Sequence, residues 1–144
     1  MEFVVTGGAG FIGSNIVKLL VKKGHNVIIL DNLNTGKREN LESIEDQINL
    51  HIVDIRDKKT INEIIKDSDG IFHQAALANV FESFSKSKEY FDVNVNGTKN
   101  IFEIAKENEI KVVFASSSSV YGEVKTMPIT ENIDRNPIHP YGQT

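Results

Sequence analysis

The sequence predicts an α/β protein with a doubly wound, mostly parallel sheet, and three observations support this. Short apolar runs alternate with helical patterns along the 144 residues. The runs are continuous rather than alternating, which is typical of parallel strands covered on both faces. A glycine-rich turn joins the first apolar run to the first helical pattern. Right-handed crossovers between such strands give a doubly wound domain.

The first part of the chain supplies three predicted strands and one predicted helix. EFVVT, at residues 2–6, is expected to be a buried strand. Residues 11–23 are expected to form a helix, because isoleucines and leucines recur there at helical spacing, and Gly24 follows as a C-terminal stop. NVIIL, at 26–30, and LHIVDI, at 50–55, are predicted as the second and third strands.

The second part continues the alternation. KTINEIIKD, at 59–67, has three isoleucines on one helical face. GIFHQA, at 70–75, is predicted as the fourth strand, and His73 within it as a core residue with a hydrogen-bond partner. A long helix is expected from about Lys88 to Glu107, followed by KVVFAS, at 111–116, as the fifth strand.

Composition limits the possible functions. The formal net charge of −4 argues against a nucleic-acid or anionic-membrane surface. The chain has no cysteine for disulfides or thiolate chemistry, and no apolar run near the roughly 20 residues of a membrane helix. Four scattered histidines do not suggest a metal site. The N-terminus does not resemble a signal peptide. We expect one domain, residues 1–144, in a cytoplasmic protein.

The turn TGGAGFIGS predicts a phosphate-binding loop. Gly7, Gly10 and Gly13 fit the pattern G-x-x-G-x-x-G, between a strand that ends at Thr6 and the helix after it. Glycine permits a tight turn and lets the backbone approach a pyrophosphate closely. The N-terminus of the helix adds unpaired N–H groups and partial positive charge. A dinucleotide is the ligand that this arrangement suits.

The residue after the second apolar run favours NAD over NADP. Asp31 lies 18 residues past Gly13. A carboxylate there can accept hydrogen bonds from both ribose hydroxyls of NAD and would repel the 2′-phosphate of NADP. Lys37 and Arg38 follow in the loop NTGKRE and could reach a 2′-phosphate, which leaves NADP as the alternative.

Seven motifs occur in the order found in one known family. They are TGGAGFIGSN, DNLNTGKREN, VDIRD, HQAA, DVNVNGT, SSSSVYGE and PYGQT. Together they resemble the NAD-dependent epimerase/dehydratase branch of the extended short-chain dehydrogenase/reductase family over the whole chain. The resemblance implies a Rossmann fold, NAD as cofactor, a UDP-hexose as substrate and a homodimeric parent enzyme.

The resemblance also implies roles for individual residues. Asp31 and Asn32 would hold the adenosine ribose, and Asp54 and Ile55, expected to end the third strand, would contact adenine. Ala75 and Ala76 would let the cofactor lie close, and Asn94 would face it from the long helix. Ser117 and Tyr141 match the catalytic serine and tyrosine. The complete set of expected cofactor contacts is Gly7, Gly10, Phe11, Ile12, Gly13, Asp31, Asn32, Asp54, Ile55, Ala75, Ala76 and Asn94.

The family's catalytic lysine stands four residues after the tyrosine, whereas Thr144 is the third residue after Tyr141. We therefore expect the chain to be the N-terminal part of a longer enzyme, with its sheet truncated before the final strands and without the sugar-nucleotide domain. This part alone is expected to be inactive.

Three functions compete at this point. The first is a 4-epimerase that moves hydride reversibly through a 4-keto sugar, as in UDP-glucose/UDP-galactose interconversion. The second is a 4,6-dehydratase or decarboxylase of the same family, but those enzymes usually carry Asp-Glu or a Glu before VYG. Ser118 and Ser119 occupy those positions here, which favours the epimerase. The third is a non-catalytic NAD-binding sensor.

Overall fold

Five parallel strands form one sheet in the computed structural model, which describes residues 1–144. The strands are β1 (Glu2–Thr6), β2 (Asn26–Asp31), β3 (Asn49–Ile52), β4 (Gly70–His73) and β5 (Lys111–Phe114). Their order in the sheet is β3-β2-β1-β4-β5. The chain builds outward from β1 to β3 and then returns to the other side of β1. The order therefore reverses between β1 and β4, where doubly wound sheets open a crevice at their carboxyl ends.

Helices cover both faces of this sheet. They are α1 (Phe11–Lys22), α2 (Lys58–Ile65), α3 (Val80–Ser85), α4 (Ser87–Tyr90), α5 (Thr98–Glu107) and α6 (Pro140–Gln143). Residues Phe91–Gly97 form a π-helical segment between α4 and α5. Short 3₁₀ turns occupy Arg38–Asn40, Glu42–Gln47 and Ser118–Tyr121. The predicted doubly wound α/β fold is confirmed.

The apolar runs are continuous because β1 and β2 are buried on both faces. Val4 and Ile28 pack into one cluster with residues of α2 and α5. The next residues along, Val5 and Ile29, pack into a second cluster with α1 on the other face. Successive strand side chains point to opposite faces, so a strand between two helical layers needs apolar residues at every position.

The ends of α1 follow from local sequence. Gly10 precedes the helix in an extended conformation, and no side chain caps the first N–H groups. At the other end, Gly24 has a φ of 77°. The N–H of Gly24 donates to the carbonyl of Val21, and that of His25 donates to the carbonyl of Leu20. This Schellman arrangement requires a left-handed residue, so the predicted glycine stop is confirmed.

The predicted long helix is present but is not uniform. Backbone angles stay helical from Tyr90 through Thr98, so α4, the π-helical segment and α5 follow one another without a break. The sequence did not predict the π-helical geometry. Such segments are often found at functional sites, and Asn94 lies within this one.

Several predicted elements end earlier than expected. β3, β4 and β5 end at Ile52, His73 and Phe114 rather than at 55, 75 and 116. Asp54 and Ile55 therefore do not end the third strand, as predicted, but lie in the loop after it. The Asp54 carboxylate accepts the backbone N–H of Arg56, and the Asp54 carbonyl accepts that of Asp57, which turns the chain away from the sheet. Helix α3 was not predicted.

His73 has the core position predicted for it. Its side chain is 1% exposed and contacts two threonine hydroxyls, those of Thr6 and Thr98. Burial lowers the pKa of His73 to about 4, so the ring is neutral at physiological pH. None of the helices is long and apolar enough to span a membrane.

Candidate functional site

The glycine loop is packed so tightly that side chains are excluded at two of its positions. A Cβ on Gly13 would lie 2.1 Å from the carbonyl oxygen of Gly7. Gly7 itself has a φ of 66°, and a Cβ there would lie 2.9 Å from the backbone of Ala75. Real Cβ atoms do not approach backbone this closely. The loop after β1 therefore lies directly against the loop after β4, as the predicted phosphate-binding turn requires.

The N-terminus of α1 carries free backbone donors. The N–H groups of Phe11, Ile12 and Gly13 have no acceptor within the protein, and no side chain caps them. Helix N-termini with free N–H groups and partial positive charge are suited to a pyrophosphate. Phe11 and Ile12 thus offer their backbone, while their side chains are 83% and 62% exposed.

Asp31 is held at the carboxyl end of β2 with its carboxylate fixed. One oxygen accepts the N–H of Ala9 at 2.9 Å, and the other accepts the N–H of Leu33 at 2.8 Å. A carboxylate has about four acceptor sites, so each oxygen retains a free lone pair. The residue is 7% exposed and borders the cavity described below. It can accept two hydroxyl hydrogens, as a ribose would require.

Asp54 is occupied by protein donors. Arg56 binds it bidentately, through Nε at 2.8 Å and Nη2 at 2.9 Å, and the Arg56 backbone N–H adds a third hydrogen bond. Asn32 Nδ2 donates a fourth at 3.0 Å. The hydrogen bonds from Arg56 hold the pKa of Asp54 well below its usual range. All four acceptor sites are in use, so adenine contact through this carboxylate requires a partner to be displaced.

Arg56 connects this corner to the π-helical segment. Its Nη1 lies 3.0 Å from the carboxylate of Asp92. The two carboxylates, that of Asp54 first, raise the pKa of Arg56 above its ordinary value. Arg56 was not predicted as a site residue, although its position two residues after Asp54 in VDIRD is the available signal.

A cavity of about 360 Å³ lies at the carboxyl ends of β1, β2 and β3. Eight of the predicted cofactor residues border it, namely Gly7, Gly10, Asp31, Asn32, Asp54, Ile55, Ala75 and Ala76. The others, Phe11, Ile12 and Gly13, lie at the start of α1, and Asn94 is described below. Lys37 and Arg38 do not border this cavity. Residues that the sequence analysis missed also line it, among them Thr35, Gly36, Gln74 and Val93.

A second cavity, of about 230 Å³, adjoins the first. The two share the loop residues Gln74, Ala75 and Ala76. Ser117 and Tyr141 both line the second cavity, so the structure brings the two predicted catalytic residues to one site. No hydrogen bond joins them. The Ser117 hydroxyl instead accepts the N–H of Ser119 at 3.2 Å.

Asn94 contacts protein backbone rather than facing the first cavity. Its Oδ1 accepts the N–H of Leu77 at 2.8 Å, and its Nδ2 donates to the carbonyl of Leu77 at 3.0 Å. The same Nδ2 lies 3.0 Å from the Thr144 hydroxyl. Asn94 therefore ties the loop after β4 to the turn that carries Tyr141, and it borders the second cavity.

The profile of the family described as GDP-mannose 4,6 dehydratase matches residues 4–144. The chain belongs to the NAD-dependent epimerase/dehydratase family. This confirms the resemblance seen in the sequence motifs, and the family's fold agrees with the doubly wound sheet.

Individual relatives differ in activity. The chain is 46% identical to a putative UDP-glucose 4-epimerase of Methanocaldococcus jannaschii, over 96% of this chain and 46% of the relative. It is 42% identical to a UDP-N-acetyl-alpha-D-glucosaminuronate decarboxylase of Bacillus cytotoxicus, over 92% of this chain and 41% of the relative. The chain thus spans less than half the length of these curated relatives.

The fold is shared with solved epimerases. The UDP-glucose 4-epimerase of Thermus thermophilus, crystallised in complex with NAD, superposes with a TM-score of 0.91 at 38% identity. The match covers 99% of this chain and 47% of the other. NAD is the cofactor of the family, and the free N–H groups at α1, the tight glycine loop and Asp31 fit that cofactor here.

Proposed function

We propose that this chain is the NAD-binding part of a sugar-nucleotide 4-epimerase that acts on a UDP-hexose, with UDP-glucose and UDP-galactose as the expected pair. Its family membership supports an enzyme of the epimerase/dehydratase class. The choice of epimerisation within that class is supported by one observation, the absence of an acid beside Ser117 and Tyr141.

The second cavity has no carboxylate in its lining. Ser118 and Ser119 lie in the 3₁₀ turn after Ser117. By the resemblance, these are the positions where dehydratases and decarboxylases of the family usually carry acids. Eliminating a leaving group from a sugar needs a group that can donate or remove a proton there. Without it, the remaining groups suit proton transfer at one sugar hydroxyl.

In this proposal, Tyr141 removes the proton from the sugar 4-hydroxyl, and Ser117 hydrogen-bonds the reacting oxygen. NAD, which the backbone N–H groups at the start of α1 and the Asp31 carboxylate would hold, would supply reversible hydride transfer at the sugar C4. The Ser117 hydroxyl already accepts the Ser119 N–H, so its own hydrogen remains available for the substrate oxygen. The Asn94 contacts fix the loop after β4 relative to Tyr141.

Preference for NAD over NADP is the part of the proposal that these 144 residues can test directly. We expect calorimetric titration to give NAD at least about tenfold tighter binding than NADP, because the Asp31 carboxylate borders the cavity and would repel a 2′-phosphate there. Asp31→Asn keeps the shape of the side chain and should narrow that difference. Tighter binding of NADP would contradict the assignment of NAD and would indicate that Lys37 and Arg38 bind the 2′-phosphate.

The choice of reaction is tested on the protein at the full length that its gene encodes. Incubation with UDP-glucose should yield UDP-galactose by nuclear magnetic resonance, and Tyr141→Phe should abolish the conversion. Release of carbon dioxide from a UDP-uronic acid, or a 4-keto-6-deoxy product, would instead establish the second candidate. NAD binding without turnover of any UDP-sugar would favour a sensor. Homodimerisation and a cytoplasmic location remain predictions from the sequence.

A further inference from the structure

A buried chain of side-chain hydrogen bonds crosses the sheet behind the cofactor crevice. It joins Thr6, the last residue of β1, to His73, the last residue of β4, and then to Thr98 at the start of α5. The exposed fractions of these residues are 0%, 1% and 9%. We name this series of hydrogen bonds the Thr6–His73–Thr98 relay.

The direction of each hydrogen bond in the relay follows from the donors around Thr6. The Thr6 hydroxyl oxygen lies 3.1 Å from both the Gln74 and Ala75 backbone nitrogens. Backbone N–H groups can only donate, so the hydroxyl is the acceptor in both contacts, although the Gln74 N–H is shared with the Thr6 carbonyl oxygen at 3.2 Å. Its hydrogen is left for His73 Nδ1, at 2.6 Å. Nδ1 is then the acceptor, and the ring proton resides on Nε2, which donates to the Thr98 hydroxyl at 2.9 Å.

The ring is also held across its faces. Phe114 stacks on His73 with centroids 5.7 Å apart and an angle of 23°, and Phe102 meets it edge-on at 6.3 Å. The imidazole therefore has one orientation, and the Thr6 hydroxyl that it orients has one as well. Burial keeps the ring neutral, since it lowers the pKa of His73 to about 4.

The Thr6 end of the relay contacts the backbone that lies against the glycine loop. Ala75, whose N–H binds Thr6, is the residue that would lie 2.9 Å from a Cβ on Gly7. Gly7 and Ala75 both border the larger cavity. A shift of a few tenths of an ångström in Ala75 would narrow or widen the gap between the loop after β1 and the loop after β4.

We propose that His73, held as its Nε2-protonated tautomer, is a positioning residue that sets the spacing of the Gly7 and Ala75 loops through the Thr6 hydroxyl, and so fixes the width of the crevice for the cofactor. This inference rests on the proposed NAD binding. His73 and Thr98 border the second cavity, whereas Thr6 borders neither cavity. A substitution at Thr6 therefore changes the spacing of the loops without changing a lining residue, and the effect that we expect is on NAD affinity.

The first test compares three variants by calorimetric titration with NAD at a temperature where each is folded by circular dichroism. Thr6→Val keeps the side-chain shape but removes the hydroxyl, and should weaken NAD binding about tenfold or more. Thr6→Ser keeps the hydroxyl and should restore affinity. Thr98→Val breaks only the far end of the relay and should have a smaller effect. An unchanged dissociation constant in folded Thr6→Val would overturn the proposal.

If Thr6→Val does not fold, a second pair of variants tests whether a hydrogen-bond acceptor for the Thr6 hydroxyl supports NAD binding. His73→Asn places its amide oxygen near the position of Nδ1, where it can accept from Thr6. His73→Gln places its amide near Nε2, where only Thr98 is within reach. Both lose the ring, so both lose the stacking on Phe114. We expect His73→Asn to bind NAD more tightly than His73→Gln, and the reverse order would contradict the relay.

Nitrogen NMR of the unmodified protein and of Thr6→Val, both without NAD, separates failure of this inference from failure of the proposed function. The Nδ1 resonance of His73 should be that of an unprotonated nitrogen, and the amide resonances of Gly7 and Ala75 should move in Thr6→Val. If the protein binds no NAD, the proposed function fails, while these two resonances still decide whether the relay spaces the loops. A protonated Nδ1 would overturn the relay even if NAD binds.

Discussion

At the scale of single residues, Gly13 is the position where shape alone decides the outcome. Gly13→Ala would place a Cβ 2.1 Å from the Gly7 oxygen and 2.8 Å from the Cα of Gly8. Both neighbours are backbone, so no side chain can move aside. We expect a loss of about 3 kcal/mol or more in the free energy of unfolding, measured by urea denaturation.

Gly10→Ala is the matched control, because its Cβ would meet only the Gly7 oxygen, at 3.2 Å. It should cost about 1 kcal/mol or less. Equal losses in the two variants would show that the loop after β1 relaxes freely, which would contradict the tight packing described above.

His73 gives the stability a predictable pH dependence. The ring titrates near 6.5 when unfolded and with a pKa of about 4 when folded. Between these values the unfolded state binds the proton and the folded state does not. The stability is therefore fully present above about pH 6.5 and is lost as the pH falls towards 4. We expect a loss of about 2 kcal/mol between pH 7 and pH 5.

The measurement is urea denaturation at pH 7, 6 and 5 on the unmodified protein and on His73→Asn. The other three histidines are present in both, so the difference in slope belongs to His73. The carboxylates with lowered pKa values, such as Asp54, contribute mainly below this window. Parallel slopes in the two proteins would contradict the assignment of a buried, neutral ring.

The same residues show what a sequence can predict at this scale. Asp31 was predicted from its place after an apolar run, because a strand end is a local feature of the sequence. The saturation of Asp54 was not, since it depends on Arg56 folding back onto a residue two positions earlier and on Asn32 from another strand end. The role of Asn94 likewise depends on Leu77 and Thr144, which are distant along the chain.

At the scale of elements, the helical stretch from α4 to α5 positions the site. Asn94→Ala would remove the partners of both the N–H and the carbonyl of Leu77. Leaving partly buried backbone groups unpaired costs about 1–3 kcal/mol, and the Leu77 amide should exchange with solvent faster. Hydrogen-exchange NMR measures this directly.

Asn96→Ala is the control on the same π-helical segment. Asn96 is exposed, and its side chain donates only to Asp92. We expect almost no change in stability or in Leu77 exchange from this variant. If Asn94→Ala behaved in the same way, the link between the π-helical segment and the loop after β4 would be unimportant.

The elements also show where periodicity is a limited guide. Helical patterns with apolar spacing located α1, and the whole helical stretch from α4 to α5, within a residue or two, because burial of one face decides both. The period cannot distinguish α from π geometry over Phe91–Gly97, since one inserted residue shifts the face without changing the composition. Helix α3 has only six residues, too few for a period to be recognised.

At the scale of the whole molecule, residues 1–144 establish the fold and the class of cofactor but not the choice of sugar. The motifs run in family order over residues 4–144, so fold and cofactor class follow from this part alone. The choice of sugar does not, because the chain covers only 41–47% of the relatives and solved structures described above. The residues that surround a substrate determine which sugar binds. In enzymes of this family, we expect part of that set to lie in the portion that residues 1–144 do not cover.

A polypeptide of residues 1–144 alone should therefore bind NAD without epimerising UDP-glucose or UDP-galactose. A phenol is ionised in only about one molecule in a thousand at pH 7, so a tyrosine base needs a nearby cation. The second cavity, which holds Tyr141, has no lysine or arginine in its lining. In the family, this cation is a lysine four residues after the tyrosine, and residues 1–144 include only three residues after Tyr141. Without it, turnover should fall about a thousandfold, and the loss of sugar positioning should lower it further.

Adding one lysine after Thr144 separates these two losses. If the missing cation were the whole deficit, residues 1–144 plus that lysine would regain measurable conversion. We expect them not to, because positioning of the sugar is still lacking, and we expect the protein at the full length that its gene encodes to be active. Conversion is followed by NMR of the sugar anomeric protons, with NAD affinity measured on the same samples. Epimerisation by residues 1–144 at an ordinary enzyme rate would show that Tyr141 is not the base or that it needs no lysine.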